Sequence, residues 1–204
     1  MKALLYSICI VVLASCVPTM PAPPASPLDA QHTRSAGVGY TAHQMLAQPG
    51  WDRDELDRYH GGQFWLRRKS SPTSKTEMGF LASVGMTSFA SAGTYVRQRI
   101  GGTPDGLYVG TQFEGGWLWA GAGLPVAVRL SDGVWAYVQP TIRAPAYVMA
   151  HLPFGLSVDL GESMRLDAQG GASGFGMLIG KSTPGSPIHS RMFAYGGIGL
   201  SKHW

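Results

Sequence analysis

Apolar side chains at Leu152, Phe154, Leu156, Val158 and Leu160 alternate with Pro153, Gly155, Ser157 and Asp159. A period of two sends successive side chains to opposite faces, so this run predicts a β-strand with one apolar face and one small or polar face. Met164, Leu166 and Ala168 then alternate with Arg165, Asp167 and Gln169, and only Gly161-Glu162-Ser163 separates the two runs, which is a hairpin signature. Val134, Ala136, Val138, Pro140 and Ile142 repeat the pattern against Trp135, Tyr137, Gln139, Thr141 and Arg143, and Met192 to Leu200 repeats it near the C-terminus. From Glu77 onward glycine is frequent, charge is sparse and no stretch has helical periodicity. This half of the chain predicts an all-β domain.

Eight strands fit the pattern: Glu77 to Ala90, Ala92 to Gly101, Gly106 to Glu114, Gly116 to Leu130, Gly133 to Arg143, Tyr147 to Leu160, Ser163 to Lys181 and Ser190 to Trp204. Short turns follow the second, fourth and sixth, whereas longer connections follow the fifth and seventh, the latter being Ser182 to His189. An antiparallel up-and-down barrel with both termini on one side of a membrane places its short turns on that side and its long loops on the other. The expected domain is such a barrel of about eight strands over residues 77–204.

Alternation alone does not say which face meets the core. The polar face here carries Gly, Ser, Thr and Gln with isolated Glu114, Arg143, Asp159, Arg165 and Asp167, rather than the lysines and glutamates of a water-exposed surface. Sparse charges of both signs suit a narrow lumen in which ions pair. Leu156, Val158, Val138 and Ile198 are therefore expected to face lipid, with Trp117, Trp119, Trp135, Tyr137 and Tyr147 as interfacial girdles. The opposite arrangement, a soluble barrel holding an apolar ligand, requires an apolar interior. Pro140 interrupts one of the strands.

Ahead of the barrel the pattern changes three times. Lys2, the apolar run Ala3 to Leu13 and the small residues before Cys16 have the layout of an export signal over residues 1–15, too short to span a bilayer as a helix. Residues 16–50 read as an N-terminal linker, beginning with five prolines between Val17 and Pro27, which favour extended polyproline II. Residues 51–76 read as a short helix over Trp51 to His60, stopped by Gly61-Gly62, and a connector.

Leu13-Ala14-Ser15-Cys16 resembles the lipobox of bacterial lipoproteins, whose cysteine takes fatty acyl groups such as palmitate and becomes the new N-terminus. The resemblance implies lipidation at Cys16 and, with Val17 rather than an aspartate next, a lipid-anchored place at the outer membrane. Cysteine usage agrees: the other cysteine, Cys9, leaves with the signal, and acylation removes the remaining thiol. The ending GGIGLSKHW, with Ile198, Leu200 and Trp204 on one face, resembles the C-terminal strand of small outer-membrane barrels.

Composition adds little chemistry. Sixteen Lys and Arg stand against twelve Asp and Glu, a modest excess that points to no nucleic-acid partner. Gly180-Lys181-Ser182 resembles the end of a phosphate-binding loop, but Phe175 occupies the place of the required glycine. Asp52, Asp54, Glu55 and Asp57 lack the glycine and distal glutamate of a calcium loop and read as a solvated helix face beside Arg53 and Arg58. His189 and Ser190 are placed where barrel enzymes acting on surface lipid hold a serine and a histidine, yet neighbours on a strand point to opposite faces. The expectation is a protein with no catalytic residues, metal or cofactor. Its partners are outer-membrane lipid and other envelope proteins, and its role is structural, scaffolding or surface interaction. A lipid-modifying barrel enzyme and a soluble ligand-binding barrel are the alternatives.

Overall fold

A computed structural model describes residues 24–28, 31–45, 58–85, 91–103, 106–116, 119–145, 148–176 and 191–204. They form twelve strand segments: β1 (Arg34–Met45), β2 (Arg58–Lys69), β3 (Thr76–Gly85), β4 (Ser91–Gly102), β5 (Leu107–Gly116), β6 (Trp119–Gly123), β7 (Val126–Ser131), β8 (Val134–Val138), β9 (Thr141–Pro145), β10 (Val148–Asp159), β11 (Met164–Gly176) and β12 (Arg191–His203). Each pairs antiparallel with its neighbours, and β1 closes on β12 from Ser35↔His203 to Met45↔Phe193. Segments β6 and β7 both pair with β5, and β8 and β9 both pair with β10, so each couple is one interrupted strand. The result is a closed barrel of ten staves.

The interruptions have a local cause. Leu124-Pro125 separates β6 from β7 and Gln139-Pro140 separates β8 from β9, and proline has no N–H to give the ladder. Their carbonyls remain engaged: Gly110 N donates to Pro125 O and Leu124 N to Pro140 O, both at 2.9 Å. The chain stays hydrogen-bonded to its neighbours across each gap.

The eight predicted strands are present in order, but the expected number is corrected to ten by β1 and β2. Residues assigned to linker and connector form two staves, and Arg58 to His60, read as the end of a helix, begin β2. No helix occurs among the described residues. Trp51 to Asp57 lie outside them, as do residues 1–23 with the export signal and Cys16. The alternation of β1 was hidden by side-chain size. Its inward positions are Ser35, Gly37, Gly39 and Thr41, opposed to outward Ala36, Val38, Tyr40 and Ala42, so hydropathy contrast is small.

The faces divide as expected. Leu156 is 46% and Ile198 62% exposed, whereas Gln139, Arg143, Ser157 and Arg165 are buried. An apolar interior, which a soluble ligand-binding barrel needs, is therefore not what this chain builds. The girdle assignment of Trp119, Trp135 and Tyr137 is corrected, because all three are buried in the lumen. Once Val134 and Val138 face outward, the period of two sends Trp135 and Tyr137 inward. Trp117 and Tyr147 lie outside the described residues.

Short turns gather at the base, where β1 begins and β12 stops. Residues 132–133 and 160–163 make two of them, with Gly133 (φ 72°) and Gly161 (φ 90°) in the left-handed region that side chains disfavour. The connections at the opposite end, which we call the top, include residues 46–57 and 177–190.

Candidate functional site

The lumen is filled in two ways. Aromatic rings take the space that glycines leave on nearby staves: Trp65 lies against Gly37 and Gly199, Tyr95 against Gly79, and Tyr137 against Gly155. A Cβ on Gly37 would fall 2.3 Å from the Trp65 ring, so the missing side chain is what admits it. Between the rings, charges pair. Glu77 accepts from Arg67 Nε at 3.1 Å, Arg67 Nη2 at 3.0 Å, Arg97 Nη1 at 3.4 Å and the Tyr95 hydroxyl at 3.3 Å. Arg97 also donates to Gln112 Oε1 at 2.7 Å, and Arg143 donates to Glu114 at 2.5 Å.

Four residues were expected to form this network, and the structure places them as follows. Arg165 Nε donates to Asp159 Oδ1 at 2.5 Å, Arg143 takes Glu114 as its partner, and Asp167 accepts from the Ser157 hydroxyl. Asp159 is part-buried while Arg165 is fully buried, so Asp159→Ala would remove the carboxylate from Arg165 Nε and leave the guanidinium hydrogen-bonded to neutral acceptors of residues 26 and 27. We expect it to destabilise the barrel by about 2 kcal/mol, below the range for a fully buried pair because water still reaches Asp159. Asp132 is fully exposed beside Arg129, and Asp132→Ala should leave the midpoint unchanged. Unfolding of the two variants in detergent compares them, and equal midpoints would sink the claim.

Into this charged lumen the chain inserts its own N-terminal segment. Pro24, Ala25, Ser26, Pro27 and Leu28 are all buried. Ala25 packs among Tyr108, Ala127, Trp135 and Tyr137. Prolines hold such a segment extended and leave its carbonyls free, which makes them targets for fixed cations. Lys69 Nζ reaches Leu28 O at 2.6 Å, Arg165 Nη1 reaches Pro27 O at 2.8 Å, Arg67 Nη2 reaches Ser26 O at 2.6 Å, and Arg97 Nη1 reaches Pro24 O at 3.2 Å. Ser26 and Ser157 hydroxyls meet at 2.8 Å. Because the Ser157 proton goes to Asp167, Ser26 supplies the proton of that contact. Part of the lumen is thus occupied by the same chain.

Sequence reading placed this segment in a spacer outside the fold and did not single out Arg67, Glu77 or Arg97. A signal existed in β2, where Gln63, Trp65 and Arg67 alternate with Phe64 and Leu66. Nothing in the linker announced that it is buried. Cys16, His189 and Ser190 lie outside the described residues.

Two Ser–His contacts occur among the described residues. His151 Nδ1 lies 2.7 Å from Ser173 Oγ, and its Nε2 lies 3.5 Å from Arg143 Nη1. A guanidinium only donates, so Nε2 accepts, Nδ1 carries the proton and His151 donates to Ser173. That polarity is opposite to what activates a nucleophile. Ser201 and His203 meet at 3.1 Å at the base, where the His203 ring packs against His32. The described residues contain no group of three His, Cys, Asp or Glu able to hold a metal.

No family model matches the chain, and no curated protein matches it. Among solved structures it is similar to Ail, the attachment invasion locus protein of Yersinia pestis, at 10% identity and a TM-score of 0.43, over 87% of this chain and 100% of that one. It is also similar to the KdgM porin, at 9% identity and a TM-score of 0.47, over 82% of this chain and 99% of that one. The N-terminal β-barrel domain of OprF from Pseudomonas aeruginosa follows, at 17% identity and a TM-score of 0.32, over 84% and 99%. The architecture of this chain rests on its own strand pairings.

Proposed function

We propose that the protein is an outer-membrane barrel, lipid-anchored at Cys16, that serves a structural or surface-interaction role and is held closed by its own N-terminal segment. The observation that carries this reading is the burial of residues 24–28 under Arg67, Arg97 and Arg165 inside a barrel with an apolar exterior. Phe113, Val38, Ile142 and Phe154 are all more than half exposed, and a water-facing protein of this size rarely displays so continuous an apolar belt. Closed strands satisfy every backbone ladder internally, which lipid requires. The reading assigns the protein no catalytic step, metal or cofactor.

A seal of this kind predicts an electrical result. The intact protein in planar bilayers should show no steady conductance, while deletion of residues 24–28 should open an ion path lined by Arg67, Arg97 and Arg165. Steady current through the intact protein would overturn the closed reading. A deletion variant as silent as the parent would show that side chains alone seal the lumen.

A further inference from the structure

The cations that hold the segment lie at increasing depth. Lys69, at Leu28, is the last residue of β2 at the base, and Arg165, at Pro27, is the second residue of β11. Arg67, at Ser26, is two residues in from that same end of β2. Arg97, at Pro24, is five residues in from Gly102, and its partners Gln112 and Gln139 are each five in from Leu107 and Val134. The segment thus climbs from the base to mid-lumen as residue number falls. Its N-terminal end points at the top.

We propose that the chain is threaded through its own barrel, so that acylated Cys16 anchors in the cell-surface leaflet while Arg34 starts β1 at the periplasmic base. The inference rests on the reading of Cys16 as the lipid anchor and deepens it by naming the leaflet.

Reach and stiffness support the path. Seven residues separate Cys16 from Pro24, and the eight steps between them span about 25 Å in polyproline II. The upper half of β4, from Arg97 to Ser91, rises only about 15 Å along a tilted barrel axis. Pro18, Pro21, Pro23 and Pro24 oppose reversal inside a narrow lumen. A return to the base would also need space that Ala25 already shares with Tyr108, Trp135 and Tyr137. Among the described residues, charged groups grip the segment from the base up to mid-lumen.

The test uses single thiols in the full chain with Cys9→Ala, expressed in a bacterial outer membrane, and a membrane-impermeant maleimide. Thr19→Cys should label in intact cells as fully as in permeabilised ones, whereas Thr73→Cys, in the exposed turn between β2 and β3, should label only after permeabilisation. Labelling of both positions on the same side, labelling of Thr19→Cys only after permeabilisation, or its failure to label in either state would overturn the threading. The mass of the N-terminal peptide reports the anchor separately. An unmodified Cys16 would defeat the acylation reading and leave the path of the chain to be judged by Thr19→Cys in a Cys16→Ser background.

Discussion

Glu77→Ala is expected to destabilise the barrel more than removal of any other carboxylate discussed above. Glu77 accepts from two guanidinium groups, Arg67 and Arg97, and from the Tyr95 hydroxyl, with almost no water contact. Its loss leaves two buried positive charges facing each other across the space it filled, and both are also committed to carbonyls of residues 24–28. Breaking a buried ion pair from one side costs about 3–5 kcal/mol, and a shared carboxylate belongs at the upper end. Glu77→Gln keeps an acceptor but no charge and should fall between the parent and Glu77→Ala. Urea unfolding in lipid vesicles measures the series. A midpoint for Glu77→Ala equal to that of Asp132→Ala would remove the charge network as a source of stability.

Gly79→Val is expected to have the second-largest effect, through shape rather than charge. A Cβ built on Gly79 lies 2.2 Å from Cζ of Tyr95, a buried ring whose hydroxyl donates to Glu77. Overpacking of a filled interior costs about 1–3 kcal/mol, and the displaced hydroxyl adds a lost hydrogen bond. The double variant Gly79→Val, Tyr95→Ala relieves the collision, so its loss should be smaller than the sum of the two single losses. Additive losses would mean that ring and glycine do not touch. Gly161→Ala has open space around its Cβ and tests only backbone strain, which separates the two uses of glycine in this chain.

The pairing of charges inside the barrel was legible in part. Period-two alternation put Arg143, Asp159, Arg165 and Asp167 on one face, and the cost of an unpaired buried ion required partners for them. Which partner each one takes was not legible. Arg143 meets Glu114 across 29 residues of sequence, and Arg97 meets Gln139 across 42, because closure and strand tilt bring together positions that no local pattern relates.

By itself the sequence determined the strand type, the order of the last eight staves and which face is apolar, since each follows from local alternation and turn residues. It left β1 unseen, because Gly37 and Gly39, which make room for Trp65 and Gln63, erase the contrast on which alternation depends, whereas the alternation from Gln63 to Arg67 in β2 was present but lay just beyond a stretch read as a helix. Trp135 and Tyr137 looked suited to a lipid interface, yet register with Val134 and Val138 settled their inward direction. Only the tertiary structure decided that Pro24 to Leu28 lie inside the barrel. An extended proline-rich segment has the same composition whether it crosses water or fills a lumen. What distinguishes the two is the set of cations from β2, β4 and β11 that closure aims at its carbonyls.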